Sequence, residues 1–200
     1  MAMLDLHLAT SEVSRLLDGV REEQLAAPTP CEYPVAALLD HFMSLSLHFT
    51  WAARKTTGAE GAASGPPPVP SAANLDPDWR SVLPKRLGEL ADAWRDPAAR
   101  EGMTEAGGQR MPAEVIGVIA LDELVMHGWD LARATGQPFR CDPASTAAVL
   151  EFTRISALPE HAAGRKGLFG PVVAVPEDAP AFDRALGLAG RDPAWKPPTT

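Results

Sequence analysis

The segment between residues 112 and 135 constrains the fold more than any other part of this chain. Its side chains are apolar on nearly every side, through residues 115–121 and again through residues 124–126. A strand is an alternative for residues 115–121 alone, but the apolar pattern continues to Thr135 without interruption and favours a helix. Gly136 supplies the left-handed residue that commonly ends a helix. A helix that is apolar all round is expected at the centre of a fold.

Apolar residues spaced three and four apart predict further amphipathic helices. These predicted helices cover roughly residues 3–20, 33–55, 76–94, 142–154 and 178–190. Pro84 falls inside the third of them, where it either kinks the helix or marks its true start. Because strand patterns are weak, we predict an all-α fold, a four-helix bundle. The long Gly-, Ala-, Ser- and Pro-rich connection at residues 58–73 indicates crossovers rather than a simple up-and-down order.

The length of the chain predicts one domain with a small appendage. A chain of two hundred residues is short enough to fold around a single hydrophobic core. We expect the bundle to span residues 1–157 and a C-terminal extension to span residues 158–200. The extension is predicted to pack on the bundle as an extended segment, a short helix and a Pro-rich tail.

The charge balance and the N-terminus exclude several classes of protein. The chain has 26 acidic and 18 basic side chains, a net charge of −8. Nucleic-acid binding needs clustered Lys and Arg, so no nucleic-acid partner is expected. The acidic balance, and the lack of an apolar run of about 20 residues, argue against a membrane protein. Without a signal-peptide pattern, Cys31 and Cys141 are expected to be reduced thiols in the cytoplasm.

Glu123 and His127 are the most informative polar residues of the central helix. They stand four positions apart, and therefore share one face of it. One interpretation is an ordinary Glu–His contact at a solvated edge, worth a few tenths of a kcal/mol. The apolar turns on both sides favour another, because a carboxylate there is costly unless it is paired or bound to a cation. Carboxylate oxygen and neutral imidazole are both good ligands for a divalent metal.

A third ligand is predicted on the second helix. His41 lies in the middle of that helix, and His48 lies two turns further along near the same face. An imidazole on an apolar helix is more often a hydrogen-bonded core residue than a ligand. His41 together with Glu123 and His127 would nevertheless form a set of two histidines and one carboxylate. Such a set leaves positions open for water or substrate, as catalytic sites do.

Other residues near these candidates have both structural and functional interpretations. Asp130 either orients a ligand or forms a salt bridge with Arg133 or another basic group. Trp129 either lines a pocket or packs in the core. Cys31, at a loop-to-helix junction, is either a reactive thiol or a small packing residue, and packing is the commoner role.

Several segments along the chain together resemble the DinB-like metal-binding proteins. Within them the chain is similar to the metal-binding N-terminal domain of mycothiol-dependent maleylpyruvate isomerase. The segments are Pro28–Cys31, Leu38–His41, Glu123–Ala132, Ala134–Pro138, Phe169–Pro171 and Gly190–Trp195. The resemblance implies a DinB-like four-helix bundle and a divalent metal, usually Zn²⁺, on His41, Glu123 and His127. It also implies mycothiol as a thiol cosubstrate whose sulfur meets the metal.

These features together predict a metal-dependent and mycothiol-dependent thiol transferase or isomerase acting on a small electrophile. The catalytic group would be a metal-bound water or thiolate held by His41, Glu123 and His127, with Asp130, Trp129 and His48 beside it or lining its pocket. Three alternatives use the same residues: a metal-dependent hydrolase, a non-catalytic metal-binding stress or accessory protein, and an Fe(II) oxygenase. The expected partners are a small thiol and an electrophile, and the expected state is monomer or homodimer.

Overall fold

The helices of the chain form a bundle that carries one short hairpin. The computed structural model describes residues 5–57, 68–165 and 168–198. Within them the α-helices are α1 (His7–Asp18), α2 (Val35–Arg54), α3 (Trp79–Arg95), α4 (Ala113–Thr135), α5 (Pro143–Ser156), α6 (Ala162–Arg165) and α7 (Ala181–Leu188). Short 3-10 turns occupy Glu22–Gln24, Ala72–Asn74, Pro97–Arg100 and Pro159–His161. The predicted all-α class is confirmed.

The first four helices form the bundle, and their order around it requires crossovers. Among these four helices, the extensive pairings are α1 with α3, α1 with α4, α2 with α3, and α2 with α4. Helices α1 and α2 are therefore diagonal to each other, and so are α3 and α4. Of the connection that was predicted at residues 58–73, residues 58–67 lie outside the described part of the chain. No helix among the described residues is both long enough and apolar enough to cross a membrane.

The central helix is α4, as its sequence predicts. It packs against α1, α2 and α5, and Ile116, Leu121 and Leu124 are at most 1% exposed. Its end follows the predicted cap, since Gly136 has φ +71° and donates its N–H to the Ala132 carbonyl. Residues 115–121 are helical, so the strand alternative is wrong.

Helix α3 settles the two interpretations of Pro84. The helix begins at Trp79, so Pro84 lies within it rather than at its start. Leu83 and Leu87 face the core with no exposed surface. Trp94 ties the helix to α2, because its indole N–H donates to the Phe49 carbonyl at 3.0 Å.

A two-stranded antiparallel hairpin replaces the loop expected before α4. Its strands are β1 (Met103–Ala106) and β2 (Gln109–Pro112). Gly107 and Gly108, at the tip, have φ angles of +59° and +76°. Two consecutive positive φ angles are what a type I′ hairpin turn requires, and glycine adopts them without strain. Four-residue strands are too short to show an alternating pattern, so the Gly-Gly pair was the available signal.

The chain after α5 folds back so that α7 packs against α5. Helix α5 ends at Ser156, one residue before the predicted boundary at 157. Helix α7 is shorter than the predicted helix 178–190, since Pro180 precedes it and Gly190 turns the chain at φ +82°. The division into a bundle and an extension stays a prediction.

We predict opposite effects for the same substitution at two helical glycines. A Cβ at Gly117 would lie 2.9 Å from the buried Trp94 ring, whereas nothing lies within 4 Å of a Cβ at Gly88. Gly88→Ala should therefore stabilise the protein by about 0.5–1 kcal/mol. Gly117→Ala should destabilise it, since overpacking a core typically costs about 1–3 kcal/mol. Thermal unfolding of both variants tests this, and a rise in Tm for Gly117→Ala would contradict the packing described.

Candidate metal centre

Helices α2 and α4 bring His41, Glu123 and His127 together at their interface. Nε2 of His41 lies 3.0 Å from Oε2 of Glu123. Nε2 of His127 lies 3.3 Å from the same oxygen. The two imidazole rings meet edge to face with centroids 4.8 Å apart. One nitrogen from each histidine thus converges on one carboxylate oxygen.

The cluster lies beside apolar core residues and is partly exposed to solvent. Phe42 is fully buried, and its ring lies 6.3 Å from that of His127. The side chains of His41, Glu123 and His127 are 19%, 18% and 12% exposed. The three side chains therefore sit at the edge of the core, largely buried but each with a small part of its surface in solvent.

The three side chains fit a divalent cation. Their potential ligand atoms all lie within 4.8 Å of one another. Two imidazole nitrogens and one carboxylate oxygen form a ligand set of catalytic metal sites, which keep positions open for other ligands. The cluster therefore has both the donor types and the spacing that a metal centre needs.

Without a metal, Glu123 and His127 stabilise each other's charged forms. Burial alone would raise the pKa of Glu123, but hydrogen bonds from His127 and His41 outweigh burial and hold its pKa well below the usual range. Burial alone would lower the pKa of His127, but contacts with Asp130, Cys31 and Glu123 raise it. A metal must therefore displace a proton from His127 before it binds.

Asp130 lies behind His127 and is completely buried. Its Oδ2 is 3.0 Å from Nδ1 of His127. The same oxygen accepts from Nη2 of Arg191 at 3.0 Å, while Nε of Arg191 lies 3.4 Å from Oδ1. Burial would raise the pKa of Asp130, but the Arg191 charge and the His127 contact lower it. Asp130 is thus placed to orient the His127 ring, and its salt-bridge partner is Arg191.

Arg133, the other salt-bridge partner considered for Asp130, has a different role. Its Nε donates to the Trp195 carbonyl at 3.1 Å, and its guanidinium lies 5.8 Å from the centre of the Trp129 ring. Trp129 itself is 6% exposed and belongs to the hydrophobic core. The packing interpretation of Trp129 is therefore the one that the structure supports.

Cys31 is a neighbour of His127 that the sequence pattern did not place there. Ligand atoms of Cys31, His127 and Asp130 also lie within 4.8 Å of one another. The Arg191 guanidinium on Asp130 disfavours a second cation in this group, because it already neutralises the carboxylate. The thiol contacts the Thr29 hydroxyl at 3.1 Å. Cys31 therefore lies beside the candidate centre rather than among its ligands.

His48 is not brought to the three candidate ligands. Nδ1 of His48 donates to the Ser44 carbonyl at 2.8 Å, and its ring packs against Trp51 with centroids 5.2 Å apart. Two turns of helix separate it from His41 by roughly 10 Å along the axis. It lines a cavity of about 300 Å³ between α2 and α3, together with Asp40, Ser44, Asn74, Asp76 and Arg86.

Asp122, next to Glu123, was not singled out by its sequence. It is 3% exposed, and its Oδ1 has no hydrogen-bond partner among the described residues. Burial, followed by the Glu123 charge, raises its pKa to about 8. A neutral Asp122 beside an ionised Glu123 keeps the cluster from holding two adjacent buried negative charges.

Comparisons with known proteins agree with this fold. Residues 6–132 match the model of the mycothiol maleylpyruvate isomerase N-terminal domain, and the chain belongs to that family. Two relatives from strains of Mycobacterium tuberculosis, each named an uncharacterized protein, are 24% identical over 185 residues, covering 92% of this chain and 93% of theirs.

A solved structure shares the fold. The crystal structure of a mutant of the mycothiol-dependent maleylpyruvate isomerase superposes with a TM-score of 0.58 at 19% sequence identity. The match covers 74% of this chain and 65% of the isomerase chain, so slightly less than two thirds of the isomerase has a counterpart here.

We predict that Asp122 makes the metal-free protein less stable as pH rises. Burial in the folded protein raises the pKa of Asp122 from its ordinary value of 3.8 to about 8. Folding favours the neutral carboxyl. The contribution of Asp122 to the free energy of unfolding is therefore fully present below about pH 4 and declines as pH rises towards 8. Asp122→Asn should therefore flatten the fall of Tm between pH 5 and 8. Asp92→Asn, at an exposed position of α3, is the control, and an unchanged slope in Asp122→Asn would contradict the prediction.

Proposed function

We propose that this protein is a divalent-metal-dependent thiol transferase or isomerase, in which a low-molecular-weight thiol, mycothiol, attacks a small electrophile and either displaces a leaving group or adds reversibly across a conjugated double bond. The observation that carries the proposal is the convergence of His41 Nε2, His127 Nε2 and a Glu123 oxygen at a solvent-accessible edge of the core. Family membership supplies the choice of thiol. The product is a thioether, or an isomer when the addition reverses after rotation about the former double bond.

Zn²⁺ is the proposed metal, and His41, Glu123 and His127 are its proposed ligands. When bound, such a cation lowers the pKa of a thiol or water that reaches an open position. The chain's own part is to hold the ligands in place. Asp130 accepts from Nδ1 of His127, which fixes the ring and leaves Nε2 directed towards Glu123.

The cavity beside α2 is the proposed place for the polar part of the thiol. Ser44 and His48, which line it, follow His41 by one and two turns on the same helix. Asp40, Asn74 and Asp76 add hydrogen-bonding groups to its wall. Hydroxyl-rich molecules are recognised by such side chains, and about 300 Å³ is at the lower end for small-molecule sites. We therefore assign His48 a cosubstrate-binding role rather than a metal-ligand role.

We predict that His127→Ala weakens zinc binding and slows thiol transfer. The test incubates the zinc-loaded protein with mycothiol and chlorodinitrobenzene, from which the thiol sulfur displaces chloride with loss of the thiol proton, and follows formation of the thioether. Loss of a ligand should lower kcat/KM by on the order of 100-fold, because the thiol is then no longer activated. His161→Ala, in the exposed turn Pro159–His161, should behave like the wild type.

The same assay separates the proposal from its alternatives. Equal rates in wild type and His127→Ala would contradict the proposal. Zinc binding without any thiol consumption would favour the non-catalytic alternative. Turnover of an amide substrate without thiol would favour the hydrolase.

We predict that His48→Ala weakens mycothiol binding and leaves the metal content unchanged. Loss of one hydrogen-bonding group in the cavity should raise KM for mycothiol about fivefold, equivalent to about 1 kcal/mol, with little change in kcat. His7→Ala, at the exposed start of α1, is the control. A KM equal to that of the wild type would show that the thiol binds elsewhere.

A further inference from the structure

The C-terminal part of the chain reaches the candidate metal centre through Arg191. Arg191 is 7% exposed and forms its ion pair with Asp130, a completely buried residue of α4. The Asp130 oxygen that accepts from Arg191 also contacts Nδ1 of His127, each at 3.0 Å. Oδ2 of Asp130 therefore links Arg191, in the C-terminal segment, to the candidate ligand His127. Arg191 lies well outside residues 6–132, which match the family.

The backbone around Arg191 is built to hold the guanidinium in this place. Gly190 turns the chain at φ +82°, and a Cβ there would lie 2.8 Å from the Gly170 backbone. Arg191 donates its backbone N–H to the Leu186 carbonyl at 2.8 Å, and its Nη1 to the Ala189 carbonyl at 3.0 Å. The side chain thus has backbone partners on its own segment and a carboxylate partner on α4.

We propose that Arg191 is a positioning residue of the metal centre. It fixes both oxygens of the Asp130 carboxylate, and the fixed carboxylate holds the His127 ring with Nε2 towards Glu123. The inference rests on the proposed metal centre and assigns part of its geometry to the C-terminal segment. Partners one step removed from the ligands commonly tune metal affinity, and losing one typically costs about 10–100-fold.

A consequence of this arrangement is that metal binding and docking of the C-terminal segment assist each other. If the docked segment raises zinc affinity, thermodynamic linkage requires zinc to stabilise the docked segment by the same factor. The Arg191 backbone N–H donates to the Leu186 carbonyl within the C-terminal segment itself, so its hydrogen exchange reports on the local order of that segment, which we expect docking to increase.

The experiment compares zinc dissociation constants of the full chain and three variants, measured by competition with a chromophoric chelator. Arg191→Ala should weaken zinc binding at least tenfold. Arg191→Lys keeps the positive charge but cannot make two hydrogen bonds to the carboxylate at once. Its zinc affinity should therefore lie between those of the wild type and Arg191→Ala. Arg165→Ala is the matched control, because Arg165 also bonds backbone carbonyls within this segment, those of Gly170 and Leu188, without contacting Asp130. It should bind zinc within about threefold of the wild type.

Hydrogen exchange provides a second measurement that does not depend on activity. Zinc should slow exchange at residues 186–191 in the wild type and in Arg165→Ala, and not in Arg191→Ala.

Equal zinc affinities of Arg191→Ala and Arg165→Ala would overturn the inference while leaving the metal centre intact. If Arg191→Ala does not fold, Arg191→Lys decides, and wild-type affinity in it overturns the inference. A wild type that binds no zinc contradicts the metal centre itself, and the inference with it.

Discussion

The pairing of one carboxylate with two imidazoles at the edge of an apolar core is the constraint on which the structure depends. Glu123 lies on α4, a largely buried apolar helix, where an unpaired negative charge is costly. His41 and His127 supply the compensating contacts at 3.0 and 3.3 Å. Because His41 comes from α2, both imidazoles reach the carboxylate only when α2 and α4 pack in one register. The polar cluster therefore specifies the helix packing as well as the candidate site.

The bundle topology places this cluster where other parts of the chain can reach it. Helix α4 contacts α1, α2 and α5, so it is enclosed on most sides. Behind His127, Asp130 is enclosed completely and takes its countercharge from Arg191. Polar groups thus extend from solvent through Glu123 and His127 to a buried salt bridge. A site connected in this way is held by residues that are far apart in the chain.

The sequence predicted the parts of this arrangement that follow from local pattern. Helical periodicity predicted α4 and its Gly136 cap, and the spacing of Glu123 and His127 put them on one face. Contacts between distant segments could not be predicted in this way. Arg191 and Asp130 are 61 positions apart, and a lone arginine in a Gly- and Pro-rich segment has no periodicity that would reveal its partner. His48 shows a second limit of pattern, since a shared helix face predicts that it lies near His41 but cannot tell contact with the ligands from a place in a neighbouring cavity.

The central claim is that His41, Glu123 and His127 bind one divalent cation. Anomalous X-ray diffraction at the zinc absorption edge, on crystals of the zinc-loaded protein, tests it most directly. The account predicts one strong peak at about 2.0–2.2 Å from Nε2 of both histidines and from a Glu123 oxygen. A crystal without a peak there, or with zinc bound only at Cys31 or at surface histidines, would contradict it.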